Sequence, residues 1–300
     1  MSNVFEYINS LPENTEMISI DRKRFRIYYL PSLERFKNLK ILDCSGNKIE
    51  FLPELPDTLI ELDCSGNHIE SLPKLPDTLI ELDCSDNELT YLPKLPNTLK
   101  KLRCTGQLVD FSNLPQLPDN LEYLSCSENG LTNLPILPNT LKNLYCSYNL
   151  LTELPQLPNT LKHLYCHINK LTELPKLPNT LENLDCSYNQ LTELPNLPDT
   201  LENLICSYNK ITTLPELPST LKHLESSNNN LPFEDIYSWR TFNKFKSTFY
   251  KLKYGHRLER YYIKNIKNKC INKEVIDVVY SPDYNFYKRL LDPTIIKMFS

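Results

Sequence analysis

Leucines recur along most of the chain on a 20-residue beat; aligned on cysteine, the units read L-x-x-L-x-C-S-x-N-x-L-T-x-L-P-x-L-P-x-T. Within a unit, L-x-x-L-x-C ends in an apolar/polar alternation, the pattern of a strand whose side chains point to opposite faces. The second Leu and the Cys therefore face a core, and the residues between them face away. Three places after every ladder Cys but Cys104 stands an Asn: Asn47, Asn67, Asn87, Asn129, Asn149, Asn169, Asn189 and Asn209. There the chain must turn out of the strand, and a carboxamide can satisfy a turning backbone. The return path, L-P-x-L-P, cannot be a regular helix, because each proline fixes φ and lacks an N–H. An extended, polyproline-like segment is expected instead.

One unit cannot bury its leucine face alone, so neighbours must cover each other and the ends need caps. The predicted fold is a repeat solenoid: a curved parallel β-sheet on the concave side, an extended convex side and a helical C-terminal cap. At about 4.8 Å per strand, roughly eleven units would make a sheet on the order of 50 Å long. Residues 1–36 read as an N-terminal cap with a degenerate repeat, in which Arg22 takes the cysteine place and a longer convex segment of possible helix follows. Residues 37–231 hold about ten units. At their far end Ser226 replaces the cysteine and Asn229 keeps the turn. In residues 232–300 the apolar positions Ile236, Trp239, Phe242, Phe245 and Phe249 recur at helical spacing, predicting a basic, mainly helical cap or small domain.

One unit is irregular. Cys104 and Cys126 stand 22 residues apart, and Gln107 replaces the turn Asn. A convex bulge accommodates such an insertion cheaply; a local change of curvature, or a handle for a partner, is the alternative.

The unit pattern resembles the leucine-rich repeat family, whose motif L-x-x-L-x-L-x-x-N-x-L is matched here with Cys at the third apolar site. The short form with L-P-x-L-P is similar to repeats of bacterial effectors, and the Asn-, Lys- and Ile-rich wording is similar to repeat proteins of giant DNA viruses. The resemblance implies a non-enzymatic scaffold that binds a protein partner through the concave face, with neither cofactor nor small-molecule substrate. Some effectors of this subtype carry a C-terminal ubiquitin-ligase domain with a Cys-x-Asp motif. Here the tail is short, and Cys270 is followed by Ile271 and Asn272, so the motif's acid is missing.

The net charge of −4 conceals a split, since residues 231–300 carry 14 Lys/Arg against 7 Asp/Glu and the remainder is correspondingly acidic. In the tail, bases alternate with aromatics from Lys244 to Lys269, which suits a solvated helix face or contact with nucleic acid or an anionic membrane, giving an adaptor as the rival reading. No apolar run approaches the roughly 20 residues of a membrane span. Neither a signal peptide nor an Asn-x-Ser/Thr acceptor is legible, so an intracellular, reducing location is expected.

Nine evenly placed cysteines, Cys44, Cys64, Cys84, Cys104, Cys126, Cys146, Cys166, Cys186 and Cys206, invite a metal or disulfide reading. Zinc gathers its ligands around one point, whereas a ladder supplies a line about 4.8 Å apart. Side chains running parallel also do not aim at each other as a disulfide requires. Free Cys packs well as a small buried hydrophobe, and core filling is the expected role.

The candidate site lies on the opposite face. Just before the cysteines run Asp43, Asp63, Asp83 and Arg103, followed later by Tyr145 and Tyr165. Two places after them come Tyr148, Tyr188 and Tyr208, with Tyr123, His163 and His167 nearby. Tyrosine offers a large contact area with a polar tip, as interfaces favour; β-propensity alone is the plainer explanation of its presence. The acids form a solvated edge or attract a basic ligand. Four strand residues keep His163 and His167 roughly 13 Å apart, too far to share a metal, and no catalytic constellation is visible.

Overall fold

The computed structural model describes residues 4–20, 27–107, 111–231 and 239. The chain divides into two compact units, Met1–Asn229 and Asn230–Ser300. Apart from Trp239, the expected tail helix, its basic aromatic stretch and Cys270 lie outside the described residues, as do Arg22 and the inserted positions 108–110.

The first unit is a solenoid whose eleven strands, among the described residues, form one parallel sheet in sequence order. They are β1 (Met17–Ser19), β2 (Ile41–Asp43), β3 (Glu61–Asp63), β4 (Glu81–Asp83), β5 (Lys101–Arg103), β6 (Tyr123–Ser125), β7 (Asn143–Tyr145), β8 (His163–Tyr165), β9 (Asn183–Asp185), β10 (Asn203–Ile205) and β11 (His223–Glu225). Register is constant: the central Leu of each strand pairs with the central Leu of the next from Leu42 to Leu224. A one-residue slip would turn every such Leu to solvent, which fixes the pairing.

Behind the sheet the core is a set of parallel files. Leu42, Leu62, Leu82 and their counterparts are buried, as are all nine cysteines of the ladder. The convex side is extended and turns only before each strand, where Leu59 N–H donates to the Pro56 carbonyl at 3.0 Å and Leu79 does the same to Pro76. Threonines bind this side together: Thr78 Oγ1 donates to the carbonyls of Asp57 and Leu59, and Thr98 to those of Asp77 and Leu79. In the irregular unit Asn120 takes the Thr place and reaches the Asn97 carbonyl at 2.9 Å.

Two sequence expectations are corrected at the N-terminus. Ile20, not Arg22, holds the cysteine place: Ile18 pairs with Leu42, and Ile20 N–H donates to the Asp43 carbonyl as Cys44 N–H does to that of Asp63. Ile18 and Ile20 are both buried, so alternation of apolar residues decides the register. Residues 27–40 form turns, not a helix; the helix is α1 (Val4–Ser10), ahead of the first strand. It buries Val4 and Ile8. Arg35 Nη2 reaches the Ile8 and Leu11 carbonyls at 2.6 and 2.8 Å, placing a cation at the end of the helix where unpaired carbonyls gather.

At the other end Ser226 is buried in the cysteine place and Asn229 keeps the turn. Leu224 is only half-buried, unlike Leu204, because β11 is the last strand of the described sheet.

Candidate functional site

The side chains that look reactive in sequence turn out to be structural. Every ladder cysteine is a buried free thiol. Cys64, Cys84 and Cys104 point their Sγ at the carbonyl of the next strand, 3.3 to 3.5 Å away. Burial pushes all nine thiols up, Cys126 and Cys206 to about 12, so the nucleophilic thiolate is suppressed throughout.

The asparagines form a second ladder that joins neighbouring turns. Asn67 Nδ2 donates to the carbonyls of Cys44 and Cys64 at 3.1 and 2.9 Å, while its Oδ1 accepts from Ile49 N–H at 2.9 Å. Asn149, Asn169, Asn189 and Asn209 repeat the arrangement. In the irregular unit Gln107 Nε2 reaches the Cys84 carbonyl at 3.0 Å and its Oε1 accepts from Leu89 N–H. The longer carboxamide thus replaces Asn without breaking the ladder.

The concave face is left to the residues on either side of each Cys. On β2 to β4 the Oδ1 atoms of Asp43, Asp63 and Asp83 accept from the N–H groups of Ser45, Ser65 and Ser85 at 3.0 to 3.1 Å. These acids therefore brace their own turns while still lending charge to the face. Arg103 on β5 separates them from the aromatics, lying 3.9 Å from Asp83 and 4.9 Å over the Tyr123 ring.

The aromatic field begins on β6. Tyr145 and Tyr165 stack with centroids 4.9 Å apart and rings within 4° of parallel, and Tyr123 joins them tilted by 36° at 5.3 Å from Tyr145. Burial, and then the neighbouring phenols, push the Tyr145 hydroxyl above its ordinary pKa. Tyr188 and Tyr208 form a second stack at 4.1 Å. Tyr148 meets His167 edge-on at 5.3 Å. The structure thus gathers the predicted tyrosines into two rows and leaves Asp43, Asp63 and Asp83 apart from them.

His163 and His167 have different partners. His163 Nδ1 lies 2.7 Å from Asn183 Nδ2. His167 Nδ1 lies 2.9 Å from Ser147 Oγ and 3.2 Å from Asp185 Oδ2. Burial raises the Asp185 pKa most strongly, but His167 and the Ser187 hydroxyl and N–H together outweigh it and hold the carboxyl below its ordinary value. An acid–His–hydroxyl relay needs the two ring nitrogens to face acid and hydroxyl separately. Here one nitrogen meets both, so the trio orients the ring and passes no proton through it. Among the described residues no group of His, Cys, Asp and Glu could hold a metal ion.

Sequence reasoning missed the backbone beneath the second row. Tyr148, Ile168, Tyr188 and Tyr208 all have φ between 52° and 56°, at the place where Gly46, Gly66, Asp86, Gly106, Glu128 and Asn228 stand in the other units. Glycine reaches that conformation freely, whereas a bulky or β-branched residue is strained there. Asp185 and the buried serines Ser147, Ser187 and Ser207 were also missing from the predicted site. The glycine-to-tyrosine exchange in one column of the repeat was the available signal.

Strand order, register, the buried leucine files and the asparagine ladder together make this chain a leucine-rich repeat solenoid protein, of the short 20-residue, L-P-x-L-P kind. The leucine-rich repeat family model matches residues 38–59. YopM from Yersinia enterocolitica is 38% identical over 69% of this chain and 50% of its own, with a TM-score of 0.59. The chain thus spans half the length of that relative. The leucine-rich effector YopM from Yersinia pestis is 27% identical over 74% of this chain and 86% of its own, at a TM-score of 0.37. Toll in its complex with Spätzle, from Drosophila, shares the fold at 21% identity, covering 74% and 38% of the two chains with a TM-score of 0.53. No curated protein sequence matches the chain.

Proposed function

We propose that this protein is a non-enzymatic scaffold that binds a protein partner through the concave face of its solenoid, around Tyr123, Tyr145, Tyr148, Tyr165, His167, Tyr188 and Tyr208. Solenoids of stacked repeats commonly use their extended concave surfaces for binding. One observation carries the placement: in a column that is left-handed in every unit and elsewhere holds Gly46, Gly66, Asp86, Gly106, Glu128 and Asn228, the large apolar or aromatic side chains are Tyr148, Ile168, Tyr188 and Tyr208. Folding alone favours glycine there, so a role outside folding accounts for them. Half-exposed tyrosines in that column present contact area with little side-chain entropy to lose.

The test is an affinity pulldown comparing wild type with Tyr145, Tyr165 and Tyr188 changed together to Ala. Partners recovered by the wild type should be lost from the triple variant while its thermal melt stays cooperative. An unchanged partner set overturns the reading.

A further inference from the structure

We infer that the partner presents an α-helix, laid along the solenoid axis in a trough between the two aromatic rows, with its N-terminal end toward the acidic strands β2 to β4. This inference rests on the proposed use of the concave face and adds the form of the partner.

The cross-section of the trough follows from the repeat. One wall is the column just before each Cys, with Tyr145 and Tyr165; the other is the column two places after it, with Tyr148 and Tyr188. Between the walls lie Ser147, His167, Ser187 and Ser207; the serines are buried, His167 is drawn down against Ser147 and Asp185, and the tyrosines of the second wall stand half-exposed. Three residues of extended backbone beyond the strand, still bonded to the next turn through the Cys146 and Tyr148 N–H groups, separate the walls by about 10 Å, close to the roughly 10–12 Å diameter of a helix with its side chains.

Spacing along the axis agrees. In the first wall the rings of Tyr145 and Tyr165 stand 4.9 Å apart. Side chains three or four residues apart on a helix are about 5–6 Å apart, so one helix face can offer roughly one side chain per repeat. From β6 to β10 the trough runs about 19 Å, enough for about 13 helical residues.

The rings also disfavour flat ligands. Tyr145 and Tyr165 cover each other's faces within 4° of parallel, and Tyr188 and Tyr208 within 9°. Bases, sugars and prolines that bind by stacking on ring faces meet mainly edges and hydroxyls here. An apolar helix stripe packs well against edges, and its backbone needs nothing from the wall because its hydrogen bonds are internal.

Charge sets the direction. Beyond Arg103 the face carries Asp43, Glu61, Asp63, Glu81 and Asp83, answered by Lys101 against Glu81 and by Arg103 against Asp83. The surplus is negative. A helix N-terminus, positive by its macrodipole, is favoured on that side, and Lys or Arg in its first turn adds to the attraction.

Full-length protein is offered two displayed libraries of about 14 residues, one locked as a helix on a coiled-coil scaffold and one held extended in a hairpin, beside immobilised neutral oligosaccharides. The helical library should enrich, with apolar or small residues at i, i+3 or i+4, and i+7, and basic residues near the N-terminus. Ser187→Trp fills the floor and Tyr188→Ala removes part of a wall; each should weaken selected helices at least tenfold. If Ser187→Trp fails to fold, Tyr188→Ala decides alone. Enrichment confined to extended peptides or oligosaccharides overturns the inference, as do helices indifferent to Tyr188→Ala. If the pulldown depends on the tyrosines yet no helix binds, the helix falls and the scaffold reading stands; if neither depends on them, both fall.

Discussion

A single carboxamide does the work of a local hydrogen-bond network in each turn of the solenoid. Asn149 donates to the carbonyls of Cys126, Cys146 and Ser147 and accepts from Leu131 N–H, all in buried surroundings. Changing it to Ala would orphan the Leu131 N–H, at about 1–3 kcal/mol, while the Cys126, Cys146 and Ser147 carbonyls keep Asn129, Asn169 and the Glu128 N–H as donors. Asn149→Ala is therefore expected to lower stability by about 1–3 kcal/mol in urea unfolding. Asn149→Asp should be at least as damaging at neutral pH, because it brings a carboxylate oxygen against carbonyl oxygens and loses both N–H donors. Equal midpoints for the wild type and both variants would contradict the role assigned to the ladder.

At the scale of the repeat element, the turn after each strand shows where sequence legibility ends. Strand, core face and turn Asn were readable because each follows from periodicity or from the hydrogen-bonding capacity of one residue type. The N-terminal register was misread by two residues: Arg22 was given the cysteine place, whereas the alternation of Ile18 and Ile20 decides the pairing. The site was legible as a list of outward tyrosines, but its division into stacks was not, since ring orientation depends on neighbours 20 residues away. Nor was the left-handed turn visible in a unit read singly, although Gly46 and Gly66 hold the same place as Tyr148 and Ile168. Ile168 lies in that turn at φ 53°, and relief of such strain amounts to about 1 kcal/mol. Ile168→Gly should therefore raise the unfolding midpoint while weakening partner binding, and a lowered midpoint would refute the strain argument.

Across the whole molecule the buried thiols act together. Each has its folded pKa raised above the unfolded value, so its contribution to stability is fully present below the ordinary thiol range and is lost as pH rises toward the folded pKa. Above about pH 9 every thiol exposed by unfolding releases a proton, and each contributes about 1.4 kcal/mol per pH unit to the loss. With nine such groups, stability should fall far more steeply between pH 9 and 11 than in a protein lacking them. Cys126→Val and Cys166→Val together should flatten the slope by about two protons, as measured by urea titrations at stepped pH. An unchanged slope would mean that other groups govern alkaline unfolding. The asparagine ladder has a further consequence, for inheritance. Because each rung reaches only the preceding turn, a gene that duplicates or drops one complete unit leaves every remaining rung intact, while a partial unit breaks the series. Descent can therefore lengthen or shorten this chain in whole steps, changing the reach of its surface while keeping the fold.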